Sequence, residues 1–437
     1  MKRALMQDLI AWKTSPRRMP LLLNGARQVG KTWLLKEFGR RHFKNCVYIN
    51  LEKNPVMERV FETYTDTAQV LRALAAYARE TIVPQETLII LDEIQEVPFA
   101  LSSLKYFSEN APDYPVAAAG SLLGVKFPKK TAPYPVGKIN KLSLYPLTFT
   151  EYLTAFGEDQ LVEALADGDI PVISSLAPRL TRYLGDYYFV GGMPQVVASF
   201  LEEGDYRKAR DIQLQIIDDF ENDISKHLNA AQASRAHTLW QSIPTQLGRE
   251  QGKRFVFSEL SESGRARDFK DALQWLIDAG LVTKVQRISK PGIPLKSYAS
   301  DRLFELFFLD VGLYSAMVEL DIESVLAVNP LFEEAKGALS EQYVCQQMIA
   351  ELKTTPYYWA SDTSPAQLDF VVSNEGRVYP IEVKASENLK SKSLRRFSEL
   401  YNLHGYRLSL SDFREQDWMT NIPLYAMSLL FSTTQSK

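Results

Sequence analysis

The sequence predicts an α/β protein: an open parallel sheet at its start, a helical middle, and a second, smaller α/β region at its end. Three observations predict it. A glycine loop joins an apolar run to a helical run at residues 19–38, an apolar run at 87–95 ends in two acids, and a strand pair at 368–384 carries Asp and then Glu-x-Lys. At 437 residues the chain exceeds what one core usually supports, so about two to four domains are expected.

The glycine loop is Gly25-Ala26-Arg27-Gln28-Val29-Gly30-Lys31-Thr32, which fills the pattern G-x-x-x-x-G-K-[ST]. Met19-Pro20-Leu21-Leu22-Leu23-Asn24 before it reads as a buried strand, and Trp33-Leu34-Leu35-Lys36-Glu37-Phe38 after it has helical spacing. In that context the pattern is a phosphate cradle. Glycines let backbone N–H groups curl around an anion, and the new helix aims its positive end at the same place. Lys31 would reach the β- and γ-phosphates of a nucleotide, and the Thr32 hydroxyl would ligate Mg²⁺.

Thr87-Leu88-Ile89-Ile90-Leu91-Asp92-Glu93-Ile94-Gln95 reads as a strand buried on both faces of a parallel sheet. Ligands of such sheets bind at the carboxyl ends of the strands. Asp92 would hold the Mg²⁺ shell and Glu93 would polarise an attacking water. Paired acids favour hydrolysis over phosphate transfer to a small molecule. Val116-Ala117-Ala118-Ala119-Gly120-Ser121 ends a further strand, and Ser121 either orients the attacking water or caps the following helix.

The apolar fraction is 46%, the charged fraction 24% and the net charge −3, so any nucleic-acid surface must be local rather than global. The N-terminus lacks the apolar stretch of a signal peptide, and no run approaches a membrane span, so a cytoplasmic location is expected. Cys46 and Cys345 are far apart in sequence, and with four histidines in the chain they give no zinc-ligand spacing.

From Phe149 to about Ala236 the pattern is helical, broken by Gly191-Gly192-Met193-Pro194. A short helix at 257–260, a longer one from Arg265 to Ala279, and a hairpin of Leu281–Ile288 with Pro294–Ala299 outline a winged helix. Residues 249–302 hold 11 Lys or Arg against 7 Asp or Glu. Arg265, Arg267 and Lys270 open the recognition helix, and Lys284, Arg287, Lys290 and Lys296 decorate the hairpin. Double-stranded DNA is the partner this implies; a solvated face used for protein contacts is the alternative.

The last hundred residues carry a different constellation. Asp369 lies on one expected strand, Glu382 and Lys384 share a face of the next, and Glu341 lies on an amphipathic helix spanning Ala338–Leu352. Acid on a helix, acid on a strand and then Glu-x-Lys describe the PD-(D/E)xK nuclease fold. Glu341, Asp369 and Glu382 would hold Mg²⁺, and Lys384 would orient water or steady charge on the phosphate. Such folds also persist as binding modules without chemistry.

These pieces, in this order, resemble a widespread family of prokaryotic AAA-type ATPases with a C-terminal region of unknown function. The resemblance rests on the loop with its Arg27-Gln28, on Leu91-Asp92-Glu93-Ile94-Gln95, Ala119-Gly120-Ser121, Leu144-Tyr145-Pro146-Leu147, Gly191-Gly192-Met193-Pro194, Phe308-Leu309-Asp310-Val311-Gly312 and Ile381-Glu382-Val383-Lys384-Ala385-Ser386. It implies ATP binding with Mg²⁺. The expected organisation is a P-loop AAA-type ATPase domain at 1–155, a helical lid at 156–245, a winged helix at 246–325 and a restriction-endonuclease-like α/β domain at 326–437. Two departures stand out. Relatives usually carry Gly-Arg where this chain has Gly137-Lys138, and an acid where it has Gln367. If that arginine neutralises phosphate charge, Lys138 lacks its bidentate fork and hydrolysis slows.

Overall fold

In the computed structural model, the described residues are 1–64, 66–121, 134–248, 254–260, 265–323, 333–385 and 391–432. Ser386 of the last resemblance motif lies outside them. They divide into two compact units, one of Lys2–Tyr145 with Asp278–Gly280, the other of Pro146–Ile277 and Leu281–Lys437.

The first unit is a five-stranded, wholly parallel sheet in the order β2-β3-β4-β1-β5. Its strands are β1 Leu21–Asn24, β2 Asn45–Asn50, β3 Thr87–Asp92, β4 Val116–Gly120 and β5 Asn140–Ser143. Its helices are α1 Leu5–Thr14, α2 Lys31–His42, α3 Pro55–Thr63, α4 Thr67–Ala78 and α5 Pro98–Asn110. The strands of the middle of this sheet read as unbroken apolar runs because both faces are covered. Leu22, Val47, Ile49, Ile89 and Leu91 pack against Met57, Phe61, Val70, Leu74, Leu101 and Phe107 of α3, α4 and α5. The alternate positions Leu21, Leu23, Leu88 and Ile90 are buried on the other face, where α2 crosses β2, β3 and β4. Gly39 of α2 makes that approach close: a Cβ there would meet Cys46 Sγ at 2.8 Å.

The second unit is helical from Phe149 to Leu247: α6 Phe149–Ala155, α7 Asp159–Asp167, α8 Ile170–Ser175, α9 Ala177–Val190, α10 Pro194–Glu203, α11 Tyr206–His227 and α12 Ala230–Leu247. There follow α13 Ala266–Asp278, β6 Val282–Ile288, β7 Ala299–Phe308, α14 Val311–Met317, α15 Glu333–Ala350, β8 Tyr357–Ala360, β9 Gln367–Asn374, β10 Arg377–Lys384, α16 Lys392–Tyr401, β11 Gly405–Ser409, β12 Arg414–Glu415 and β13 Met419–Pro423. One eight-stranded sheet, ordered β12-β13-β11-β10-β9-β8-β6-β7, gathers all eight strands.

Three expectations are corrected here. The hairpin after α13 exists, but its second strand begins at Ala299, where it was expected to end, because Phe304–Phe308 are the residues buried against β6. That hairpin is no free wing either. β6 also pairs in parallel with β8, so the hairpin expected as a wing shares one sheet with the strands expected as a separate nuclease-like domain. Finally, α15 is not amphipathic: every residue from Ala338 to Met348 is buried. Its glutamines make that tolerable, since Gln342 pairs with both the N–H and the carbonyl of Phe308, at 2.8 Å each, and Gln346 accepts the Val311 N–H at 2.8 Å.

Candidate functional site

β1 ends at Asn24, and the chain must then turn sharply to start α2. Gly25 takes φ +150°, Gln28 takes φ +65°, and Gly30, with φ +94°, is the left-handed residue preceding the helix. A Cβ on Gly25 would lie 2.3 Å from the Leu144 carbonyl oxygen, so only glycine fits. Arg3, buried, braces the loop from α1's leading edge by donating to the carbonyls of Val29 (3.0 Å) and Tyr145 (2.6 Å). Sequence reasoning missed that arginine, for it belongs to no local pattern.

Lys31 is folded into the loop. Its ammonium donates to the carbonyls of Gly25 (2.9 Å) and Ala26 (2.7 Å). Burial lowers its pKa to about 8, with Glu93 and then Asp92 opposing and Arg27 adding to the depression. Asp92, buried at the end of β3, accepts the Thr32 hydroxyl on Oδ2 at 2.7 Å and the Glu93 N–H on Oδ1 at 3.1 Å. Its Oδ2 also accepts the Tyr48 hydroxyl at 3.0 Å. Glu93 is held in the left-handed region at φ +52°, an uncommon conformation for a residue with a side chain. Its Oε2 accepts from Gln95 Nε2 at 2.6 Å and from Ser121 Oγ at 3.4 Å. The carboxyl ends of the neighbouring strands β1, β4 and β3 therefore bring Lys31, Thr32, Asp92, Glu93 and Ser121 together. Gln95 and Tyr48 join them, the first inside a quoted motif but given no role there, the second with no sequence signal.

The donor set fits a nucleotide with Mg²⁺. A hydroxyl and a carboxylate, both hard oxygen donors, face each other across 2.7 Å, and a buried ammonium occupies a loop shaped for an anion. Lys138 is turned to Glu109 of α5, 3.0 Å away.

The C-terminal constellation is assembled differently from expectation. β9 and β10 pair antiparallel with Ile381 opposite Phe370, and β10 and β11 run parallel with Glu382 opposite Arg407. Asp369, however, turns its carboxylate to the chain and accepts the Val383 N–H at 2.8 Å. Glu382, buried, lies 3.4 Å from Lys384 Nζ; burial raises its pKa, against the pull of Lys384. Arg407, also buried, donates from Nε to Asn421 at 2.7 Å. Gln367 donates to buried Glu305 of β7 at 2.9 Å. Among the described residues no three Asp, Glu, His or Cys side chains are grouped to hold a metal ion. The expected set Glu341, Asp369 and Glu382 is thus not grouped as three ligands: Asp369 gives one oxygen to the Val383 N–H, while its charge adds to the raised pKa of Glu382. Glu341 is buried on α15.

Of the expected DNA-contacting residues, Arg265, Arg267 and Lys270 are exposed at the start of α13. The hairpin cations are largely engaged. Arg287 pairs with Asp362 at 2.5 Å, Lys290 lies 4.9 Å from the Tyr298 ring centre, and Lys284 lies 4.5 Å from that of Phe304. Lys296 sits exposed in a short 3₁₀ turn before β7.

Comparison with known proteins agrees with the first unit and leaves the second open. Residues 17–153 match the family described as an AAA domain, residues 181–324 a domain of unknown function (DUF8612), and residues 336–427 another (DUF4143). Uncharacterized proteins of Mycobacterium tuberculosis and Mycobacterium bovis are each 27% identical over 397 residues, spanning 89% of this chain and 75% of theirs. Among solved structures, a Walker-type ATPase of Pyrococcus abyssi aligns over 72% of this chain and 95% of its own at 13% identity, with a TM-score of 0.45. The Aeropyrum pernix ORC1 protein in complex with DNA aligns over 74% and 92% at 15% identity, with a TM-score of 0.28. Neither likeness is close enough to bear on partners. The family matches and the loop geometry support an ATP-binding, AAA-type ATPase joined to a C-terminal domain of unknown function. Among the described residues no helix is long and apolar enough to cross a membrane.

Proposed function

We propose that the chain is a Mg²⁺-dependent ATPase whose nucleotide state is coupled to a DNA-contacting second half. The observation that carries the ATPase part is the Thr32–Asp92–Glu93 arrangement beside the buried Lys31. Lys31 exchanges its two loop carbonyls for phosphate oxygens. Thr32 would ligate the Mg²⁺ and Asp92 would hold its water shell; the ion, when bound, would supply charge neutralisation at the phosphates. Glu93 takes a proton from the attacking water, and Gln95 and Ser121 hold its carboxylate in place for that task. The exposed cations at the start of α13 are the DNA-contacting group this reading needs.

A second reading is an ATP-gated switch whose C-terminal half grips a protein and has no nuclease activity. It is favoured by the engaged hairpin cations and by Asp369 accepting the Val383 N–H. ATP turnover with and without double-stranded DNA across a salt series separates the two. Stimulation that fades with salt supports DNA; turnover indifferent to DNA supports the switch.

A further inference from the structure

Asp92 is the pivot of the nucleotide site, and its rotamer depends on more than the residues of the two nucleotide motifs. Oδ1 is fixed by the Glu93 N–H, while Oδ2 receives two hydroxyls, Thr32 at 2.7 Å and Tyr48 at 3.0 Å. Tyr48 comes from β2, the neighbour of β3, where Tyr48 stands opposite Ile90 and Asn50 opposite Asp92. Side chains alternate along a strand, so Tyr48 and Asp92 face the same side of the sheet, the side that α2 covers. On α2, Lys36 lies one turn beyond Thr32, and its ammonium sits 3.4 Å from the centre of the Tyr48 ring. The ring is thus clamped between α2 and the sheet with its hydroxyl aimed at one carboxylate oxygen.

We propose that Tyr48 is a positioning residue for Mg²⁺-nucleotide: its hydroxyl locks the Asp92 carboxylate in the orientation that serves the Thr32-bound metal. The proposal rests on the ATPase reading. With a lone pair of Thr32 Oγ given to the metal, its O–H would still donate to Asp92 Oδ2, and the Tyr48 hydroxyl on the same oxygen would keep the carboxylate from swinging to ligate the ion directly. Without Tyr48, Asp92 has a softer torsion and the metal a less defined place.

The test is Tyr48→Phe, which keeps the ring and its contact with Lys36 and removes only the hydroxyl. Binding of a fluorescent N-methylanthraniloyl ATP is measured in EDTA and in Mg²⁺, followed by the Mg²⁺ dependence of turnover, with wild type and Lys31→Ala alongside. In EDTA the variant is expected to match wild type. In Mg²⁺ its gain in affinity falls by about tenfold, the scale of a hydrogen bond to a charged group, and half-maximal turnover needs correspondingly more Mg²⁺. Equal losses in EDTA and Mg²⁺ would mark a structural role and overturn the proposal, as would an unchanged Mg²⁺ dependence. Wild type that binds no nucleotide would overturn the ATPase reading, and this proposal with it; wild type that binds while Tyr48→Phe is indistinguishable overturns the role of Tyr48 alone.

Discussion

At the scale of single residues, the nucleotide site is a set of groups already poised and satisfied by one another. Lys31 is the clearest case. Burial depresses it to about 8, so it is mostly charged at neutral pH and loses its proton not far above. ATP affinity is therefore expected to fall as pH rises from 7 to 9, and the fall should flatten in Lys31→Arg, whose guanidinium stays charged; equilibrium binding at each pH checks it. Lys31→Ala should abolish nucleotide binding in a folded protein. Glu93 has a different signature. Its left-handed backbone and its bonds to Gln95 and Ser121 hold a carboxylate that no helix or strand would orient this way. Glu93→Gln keeps size and hydrogen bonding but removes the base, so the variant should bind ATP and turn over at least ~10²-fold more slowly in a steady-state assay.

At the scale of elements, the glycine motif between α9 and α10 serves packing rather than chemistry. A Cβ on Gly191 would fall 2.1 Å from Asp310 Oδ1, and one on Gly192 would fall 2.2 Å from the Leu147 carbonyl. That room lets the Asp310 carboxylate, fully buried, accept the N–H groups of Gly192 (2.7 Å), Gly312 (3.0 Å) and Leu313 (3.1 Å) and the Gln346 amide (3.1 Å). One side chain thus caps α14 and pins the turn that separates α9 from α10. Removing it in Asp310→Ala leaves several buried donors unpaired and should cost about 3 kcal/mol or more, read by chemical denaturation. Burial nevertheless outweighs those donors and raises its carboxyl to about 6. The sign follows from that: a raised acid contributes stability that is fully present below its unfolded value near 3.8 and is lost as pH rises through about 6. Wild type should therefore gain on Asp310→Asn by about 2–3 kcal/mol when both are unfolded at pH 4 instead of pH 7.

At the scale of the whole molecule, two predictions probe the second unit. Neutralising Arg265, Arg267 and Lys270 together should weaken duplex binding for all sequences and flatten the logarithmic salt slope by about 0.9 per lost phosphate contact. An unchanged slope in a binding competition would redirect the α13 face to a protein. The Asp369–Glu382 pair should show no Mg²⁺- or Mn²⁺-dependent cleavage of DNA or RNA. Asp369→Ala should instead cost stability, about 1 kcal/mol, because the Val383 N–H loses its acceptor. Metal-dependent cleavage abolished by that substitution would return the site to nuclease chemistry.

The sequence by itself determined the first sheet's central strands, the phosphate loop and the paired acids, because each is written in contiguous residues. A glycine loop between strand and helix has one common use, and a doubly covered parallel strand must be a continuous apolar run. It also placed Asp369 and Glu382 on paired strands. What it could not give was anything decided by residues distant in the chain. Tyr48 reaches Asp92 because β2 lies beside β3, and Arg3 braces Val29 across the fold. The hairpin after α13 looked like a wing because its own hydrogen bonds are local; its parallel pairing with β8, some seventy residues on, is not. Helix α15 looked amphipathic because glutamines read as solvent-facing, whereas here they satisfy backbone groups that strand and helix ends leave open. Charge told the same story at the second site. Glu-x-Lys is visible in sequence, but whether its carboxylates face a metal or a neighbouring cation depends on which strand lies alongside, and β11 brings Arg407 opposite Glu382.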